Sequence, residues 1–142
     1  MLKKILVMFS LLFGTTFLFA GSAIIPNWRH NGITTYCLYV SNINDLDVEV
    51  NITLYKKDGT VYTGTYTQYG AELNKPFILS TNSTGSLCID KISGAQDHGY
   101  GIIKGSPVNG KGTVQLVAFA VDSDTAYNNR WYSIPINGGL PF

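Results

Sequence analysis

The residues most suggestive of chemistry lie late in the chain, in the stretch GYGIIKGSP from Gly99 to Pro107. Its glycines and Lys104 have the composition of a phosphate-cradling loop. A dinucleotide fingerprint needs Gly-x-Gly-x-x-Gly between a strand and a helix, so that backbone amides and the helix N-terminus face the pyrophosphate. Lys104 stands where the third Gly belongs, and Ser106-Pro107-Val108-Asn109-Gly110 cannot begin a long helix. A P-loop needs Gly-Lys-Ser or Gly-Lys-Thr, whereas the order here is Lys104-Gly105-Ser106. The stretch reads instead as a strand, with Tyr100 and Ile102 on one face, Gly99, Gly101 and Ile103 on the other, and a loop from Gly105 to Gly112. Glycines at alternate positions leave a bare strip of sheet for close packing.

Other reactive groups are scattered. His30 and His98 are the two histidines, and a zinc site needs three or four ligands, so both are expected to face solvent or bond locally. Asp97-His98 with a distant serine has the ingredients of a triad, but no Gly-x-Ser-x-Gly elbow presents a nucleophile. Asp122-Ser123-Asp124 with Asn128 and Asn129 suggests a calcium loop. Ala126 and Tyr127 fall where that loop needs a ligand and a glycine, and Ser133 falls where it needs Glu. A turn rich in Asp and Asn is expected there instead. No metal or cofactor is expected. Asn51-Ile52-Thr53 and Asn82-Ser83-Thr84 match N-glycosylation acceptors.

The elements that must position these residues follow a short leader. Lys3 and Lys4 precede an apolar run from Ile5 to Ala20, followed by the small residues Gly21, Ser22 and Ala23. This is the pattern of a secretory signal peptide, residues 1–20, with cleavage after Ala20 or Ala23. The run is shorter than the roughly 20 apolar residues of a spanning helix, so no stable membrane span is expected after cleavage. Residues 21–142 suit one domain. The formal charge of +1 includes both leader lysines, and with no basic patch left, nucleic acid is excluded as a partner.

Residues 21–142 carry no helical period. Short alternating runs separated by Gly, Asn, Asp and Pro predict an all-β sandwich or barrel. In DVEVNITLY, Val48, Val50, Ile52 and Leu54 share one face and Asp47, Glu49, Asn51 and Thr53 the other. Asp58-Gly59 then supplies a tight hairpin turn, with VYTGTYTQY expected to return as the partner strand. ITTYCLYVSN places Tyr36, Leu38 and Val40 opposite Thr35, Cys37 and Tyr39, and GSLCIDK places Leu87 and Ile89 opposite Ser86, Cys88 and Asp90. Both cysteines point away from the apolar face. Two cysteines in an exported chain pair most simply with each other, so a Cys37–Cys88 bridge should join neighbouring strands across the outer face of one sheet.

The segment IIPNWRHNGITTYCLYVSNINDLDVEVNITLYKKDG resembles the opening of immunoglobulin-like β-sandwich modules of secreted and surface bacterial proteins. The resemblance rests on Pro26 and Trp28, Gly32 and Thr35, Asn42, the run Val48 to Tyr55, and Asp58-Gly59. It continues through STGSLCI and Gly99-Tyr100-Gly101 and covers about residues 24 to 121. It implies an immunoglobulin-like antiparallel β-sandwich of about seven to nine strands that is noncatalytic and extracellular, and it carries no active-site residues.

Two features bear on partners. In TVQLVAFAV, Val114, Leu116, Ala118 and Ala120 form an apolar face, yet Val117, Phe119 and Val121 make the opposite face apolar too. Either the tail folds over that second face or a partner meets it. The tail from Arg130 to Phe142 includes Trp131, Tyr132, Ile134, Ile136, Leu140 and Phe142, too apolar for a free linker. It is expected to complete its own sandwich, the alternative being addition to a neighbouring subunit's sheet. Val117, Phe119, Val121, Trp131, Tyr132 and Phe142 are therefore the candidate contacts for a protein partner, self-association or a glycan. The function expected is structural, adhesive or assembly-related, at the cell surface, in the periplasm or outside the cell. A carbohydrate-binding module stacking sugars on Trp28, Tyr62, Tyr66, Tyr69, Tyr127 and Trp131 is one alternative. An enzyme or enzyme inhibitor is another.

Overall fold

Alternation of apolar and polar side chains along the chain is reproduced as nine strands in a computed structural model, described over residues 21–90, 96–124 and 130–142. The strands are β1 (Gly21–His30), β2 (Thr34–Asn42), β3 (Val48–Lys56), β4 (Thr67–Tyr69), β5 (Phe77–Leu79), β6 (Thr84–Ile89), β7 (Asp97–Pro107), β8 (Leu116–Asp124) and β9 (Arg130–Pro135). A short 3₁₀ turn, Ile136–Gly139, follows β9. The expected leader, residues 1–20, lies outside the described residues, as do Tyr127, Asn128 and Asn129. No helix among the described residues is long and apolar enough to cross a membrane.

The strands form two antiparallel sheets, one of four in the order β1-β7-β3-β5 and one of five in the order β4-β6-β2-β8-β9. The protein is thus the all-β sandwich expected, with nine strands. β2 with β6 and β3 with β7 pair as the second with fifth and third with sixth strands do in an immunoglobulin-like sandwich. The outer positions are exchanged: β1 lies beside β7 and β8 beside β2, whereas the first strand there joins the second and the last joins the sixth.

Between the sheets, Ile25, Trp28, Tyr36, Leu38, Val40, Val48, Val50, Ile52, Leu54, Leu87, Ile89, Ile103 and Leu116 are fully buried. Every second residue of β3, Val48 to Leu54, contributes to this core, as a strand with one wet face requires. Trp28 reaches it through an irregularity in β1 between Ile25 and Trp28, where Pro26 sits, and its Nε1–H donates to the Tyr55 and Tyr100 carbonyls. Asn42 closes β2 by donating from Nδ2 to the carbonyls of Leu46, Leu79 and Ser80, which ties the β2–β3 turn to the end of β5.

GYGIIKGSP lies within β7, which continues to Pro107, so Gly105 belongs to the strand rather than to the loop expected from that point. The bare glycine strip faces the core. A Cβ at Gly101 would meet Leu54 and Ile25, and one at Gly105 would meet Leu116 and Val114. The strip is filled by the protein's own side chains.

Two other expectations are corrected. The turn at Asp58-Gly59 forms, with Gly59 at φ 82° and Gly59 N–H donating to the Lys56 carbonyl. Its returning strand does not. Only a short return forms on the edge of β3 away from β7, where Val61 bridges to Tyr55 and the Tyr62 N–H donates to the Leu54 carbonyl. Tyr62 then turns inward to pack edge-on against Trp28, and Leu73 and β5 take the places further along that edge. The chain then crosses, and Thr67–Tyr69 joins the other sheet beside β6. Asp122-Ser123-Asp124 is not a turn but the end of β8, opposite Thr34, Thr35 and Tyr36.

Candidate functional site

The disulfide forms as expected: Cys37 and Cys88 are cross-strand partners on β2 and β6, both on the outer face of the five-stranded sheet. Strand register sets the rest of that face in rows. One row runs Thr67, Cys88, Cys37, Val121 and Ser133, and the next runs Tyr69, Ser86, Tyr39, Phe119 and Pro135. Val117 pairs with Ser41, and Trp131 with Ser123. No residue in these rows carries a charge. Phe119 is 40% exposed and Trp131 69% exposed.

The tail completes its own sandwich, by an arrangement different from a cover. β9 pairs along β8 from Asp124–Arg130 to Phe119–Pro135, Ile136 is buried in the core, and Phe142 exchanges both backbone hydrogen bonds with Leu116. Edgewise pairing extends the sheet and leaves the outer side of Val117, Phe119 and Val121 uncovered by the described residues. Phe142 packs against the core, which removes it from the candidate contacts. Tyr132 is 47% exposed and faces the opposite side of β9 from Trp131.

Tyr39 and Phe119 stack with ring centroids 4.8 Å apart and planes 8° from parallel. Rings lying side by side in one plane cannot approach that closely, so their faces overlap, at about the 4.7–4.9 Å spacing of neighbouring strands. The disulfide and Val121 lie in the adjacent row. The result is a low apolar ridge. The sequence placed Tyr39 on this face beside Cys37 but gave no sign of its register with Phe119, because cross-strand pairing is set by distant segments.

The sugar-stacking set is only partly accessible. Trp28 and Tyr62 are buried, a correction that follows from their roles in the core, and Tyr66 packs against the core with its hydroxyl accepting from the Leu73 N–H. Tyr69, 62% exposed, and Trp131 stand on β4 and β9, the two edges of the five-stranded sheet. Four strand spacings, about 19 Å, separate them.

His30 corrects the expectation of a solvent-facing histidine. It is buried, parallel to Trp28 with centroids 6.1 Å apart and edge-on to Tyr62. Burial holds its pKa below the ordinary 6.5, against the opposing effect of Asp97. Both histidines line one cleft of about 160 Å³ with Arg29, Asn31, Gln96 and Asp97. Asp97 accepts from the His98 backbone N–H and pairs with Lys56, so neither bond orients an imidazole as a triad requires. Among the described residues that line it, none is a serine, threonine or cysteine.

Nearby, Arg29 pairs with Asp122, an interaction the sequence did not reveal because the partners are 93 positions apart. Asp122 is buried beside Tyr36. Burial and then Asp122 push the Tyr36 hydroxyl above the ordinary phenol range. Asp122 is thereby committed to an ion pair rather than to a calcium turn. Of the two glycosylation sequences, Asn51 lies within β3 and accepts from the Thr53 hydroxyl, whereas Asn82 sits at an exposed turn with φ 53°.

Comparison with known proteins bears on the fold alone. No family model matches the chain, and no curated protein matches it. A solved structure, Thermotoga maritima 1070, is similar at a TM-score of 0.52 and 16% identity, covering 87% of this chain and 94% of that one.

Proposed function

We propose that this is an exported, noncatalytic docking domain whose contact surface for protein is the outer face of the five-stranded sheet, in a structural, adhesive or assembly role. The observation that carries the reading is that β9 extends the sheet edgewise instead of covering Val117, Phe119 and Val121. A contiguous uncharged surface of rings, valines and a disulfide is left for a partner. Such apolar patches mark interaction sites, and interface cores are depleted of charge and enriched in aromatics. Export is supported by the leader pattern and by the disulfide, which persists in oxidising compartments.

Protein is favoured over glycan as the ligand because Trp28 and Tyr62 are buried, and because Tyr69 and Trp131 stand on opposite edges of the sheet, too far apart to form one platform. A photoreactive phenylalanine analogue placed at position 119 in the producing cells is expected to yield a cross-linked protein adduct. The same analogue at position 102, on the other sheet, is expected to yield none. Absence of an adduct at 119, or equal adducts at both positions, overturns the proposal.

A further inference from the structure

We propose that the edge of β9 left without a strand partner among the described residues is occupied by β9 of a second copy of this chain, the two strands running antiparallel about a two-fold axis at Tyr132. This rests on the docking reading of the five-stranded sheet and gives its edge an occupant.

An uncovered strand edge is a template for pairing, which proteins suppress with short strands, prolines or bulges. The other edges of this sandwich carry such devices. β4 and β5 have three residues each. β1 is interrupted at Pro26, and its start is crowded by the tail, since a Cβ on Gly21 would lie 2.6 Å from the Phe142 carbonyl carbon. β9 has six residues in unbroken register with β8, and its single proline, Pro135, closes the strand.

The identity of the occupant follows from the residues of β9. A two-fold antiparallel pairing keeps the outer face outermost, so facing residues have positions of equal parity and the axis passes through a residue. With the axis at Tyr132, Trp131 faces Ser133 of the second copy and Arg130 faces its Ile134. Each indole meets a small side chain on the outer face, the two Tyr132 rings meet at the axis on the other face, each guanidinium stem meets an aliphatic side chain, and the paired span from Arg130 to Ile134 contains no proline. An axis at Ser133 would instead bring Pro135, which has no N–H to give, into the ladder opposite Trp131. An axis at Trp131 would pair only Arg130 to Tyr132 of the strand, three residues against the five paired about Tyr132. The resulting ten-stranded sheet joins the two apolar outer faces into one.

Sedimentation of residues 21–142, oxidised, over a range of concentrations tests this. A reversible dimer is expected. Tyr132→Lys, which sets two ammonium groups against each other at the axis while facing Asp122 favourably within its own sheet, is expected to weaken association by at least about tenfold while not lowering the denaturation midpoint of the monomer. Tyr132→Cys is expected to form a covalent dimer on oxidation, and Ile24→Cys on the β1 edge is not. A chain that stays monomeric at every concentration, or a dimer indifferent to Tyr132→Lys, overturns the proposal. The two readings fail separately: a monomer whose position 119 still cross-links in cells loses the second copy and keeps the docking face.

Discussion

The outer faces of the two sheets are built on the same period-two pattern and end with opposite characters. On the four-stranded sheet, Glu49 lies beside Ser106 and Ile78, Asn51 beside Lys104, and Thr53 beside Ile102, around a shallow groove of about 210 Å³. On the five-stranded sheet the rows hold a disulfide, a valine, rings and the hydroxyls of Thr67, Ser86 and Ser133, without a charge. Each face has one stacked pair, Tyr55–Tyr100 at 5.0 Å and Tyr39–Phe119 at 4.8 Å. Stacked aromatics are thus common to both faces. Isoleucines are exposed on the four-stranded face too, Ile24 and Ile78 among them, so what differs is charge, with Glu49 and Lys104 on one face and none in the rows of the other, and the docking proposal rests on that difference.

The two tryptophans express the same contrast, and replacing each gives the largest and one of the smallest expected effects. Trp28→Ala removes a fully buried ring and its two hydrogen bonds, and should cost about 3–5 kcal/mol, read as a large fall in denaturation midpoint. Loss of the bridge by Cys37→Ser with Cys88→Ser comes next. Fifty-one positions separate the cysteines, so the chain-entropy cost is about 4 kcal/mol at most, less if the reduced chain keeps residual structure. The loss should destabilise the fold and blur the apolar face, with little change at the Tyr55–Tyr100 pair in its NMR spectrum. Trp131→Ala should change stability by no more than about 0.5 kcal/mol while weakening association.

A smaller, pH-dependent effect belongs to the end of the sandwich. Burial lowers the His30 pKa in the folded state, so the unfolded chain binds the proton more readily. Its contribution to stability is therefore full above the ordinary value of 6.5 and declines as pH falls from there toward the lower folded value. A plot of unfolding free energy against pH should slope downward on that acid side, and His30→Gln should flatten the slope.

The strands β2, β3, β6, β7 and β8 were legible in the sequence because each buries every second side chain, and the outward placement of both cysteines followed from the same alternation. The route after Gly59 was not legible. Alternation in VYTGTYTQY is compatible with any sheet, and its fate was decided by Tyr62 packing on Trp28 and by Leu73 and β5 taking the rest of that edge of β3. The exchange of β1 and β8 was hidden for a like reason, since partner choice at a sheet edge leaves no local pattern. Of the candidate contacts, Val117, Phe119, Val121 and Trp131 lie together on the outer face as their parity required. Phe142 does not, because its backbone pairs with Leu116, and the burial of Asp122 depended on Arg29 from a distant strand.

The docking claim is tested most directly by hydroxyl-radical footprinting of the purified domain against the same protein in the cells that produce it. Tyr39, Phe119 and Trp131 should be oxidised in the purified domain and protected in place, while Tyr55 and Tyr100 are oxidised equally in both. Equal oxidation of Tyr39, Phe119 and Trp131 in the two settings, or protection confined to Tyr55 and Tyr100, would contradict the account.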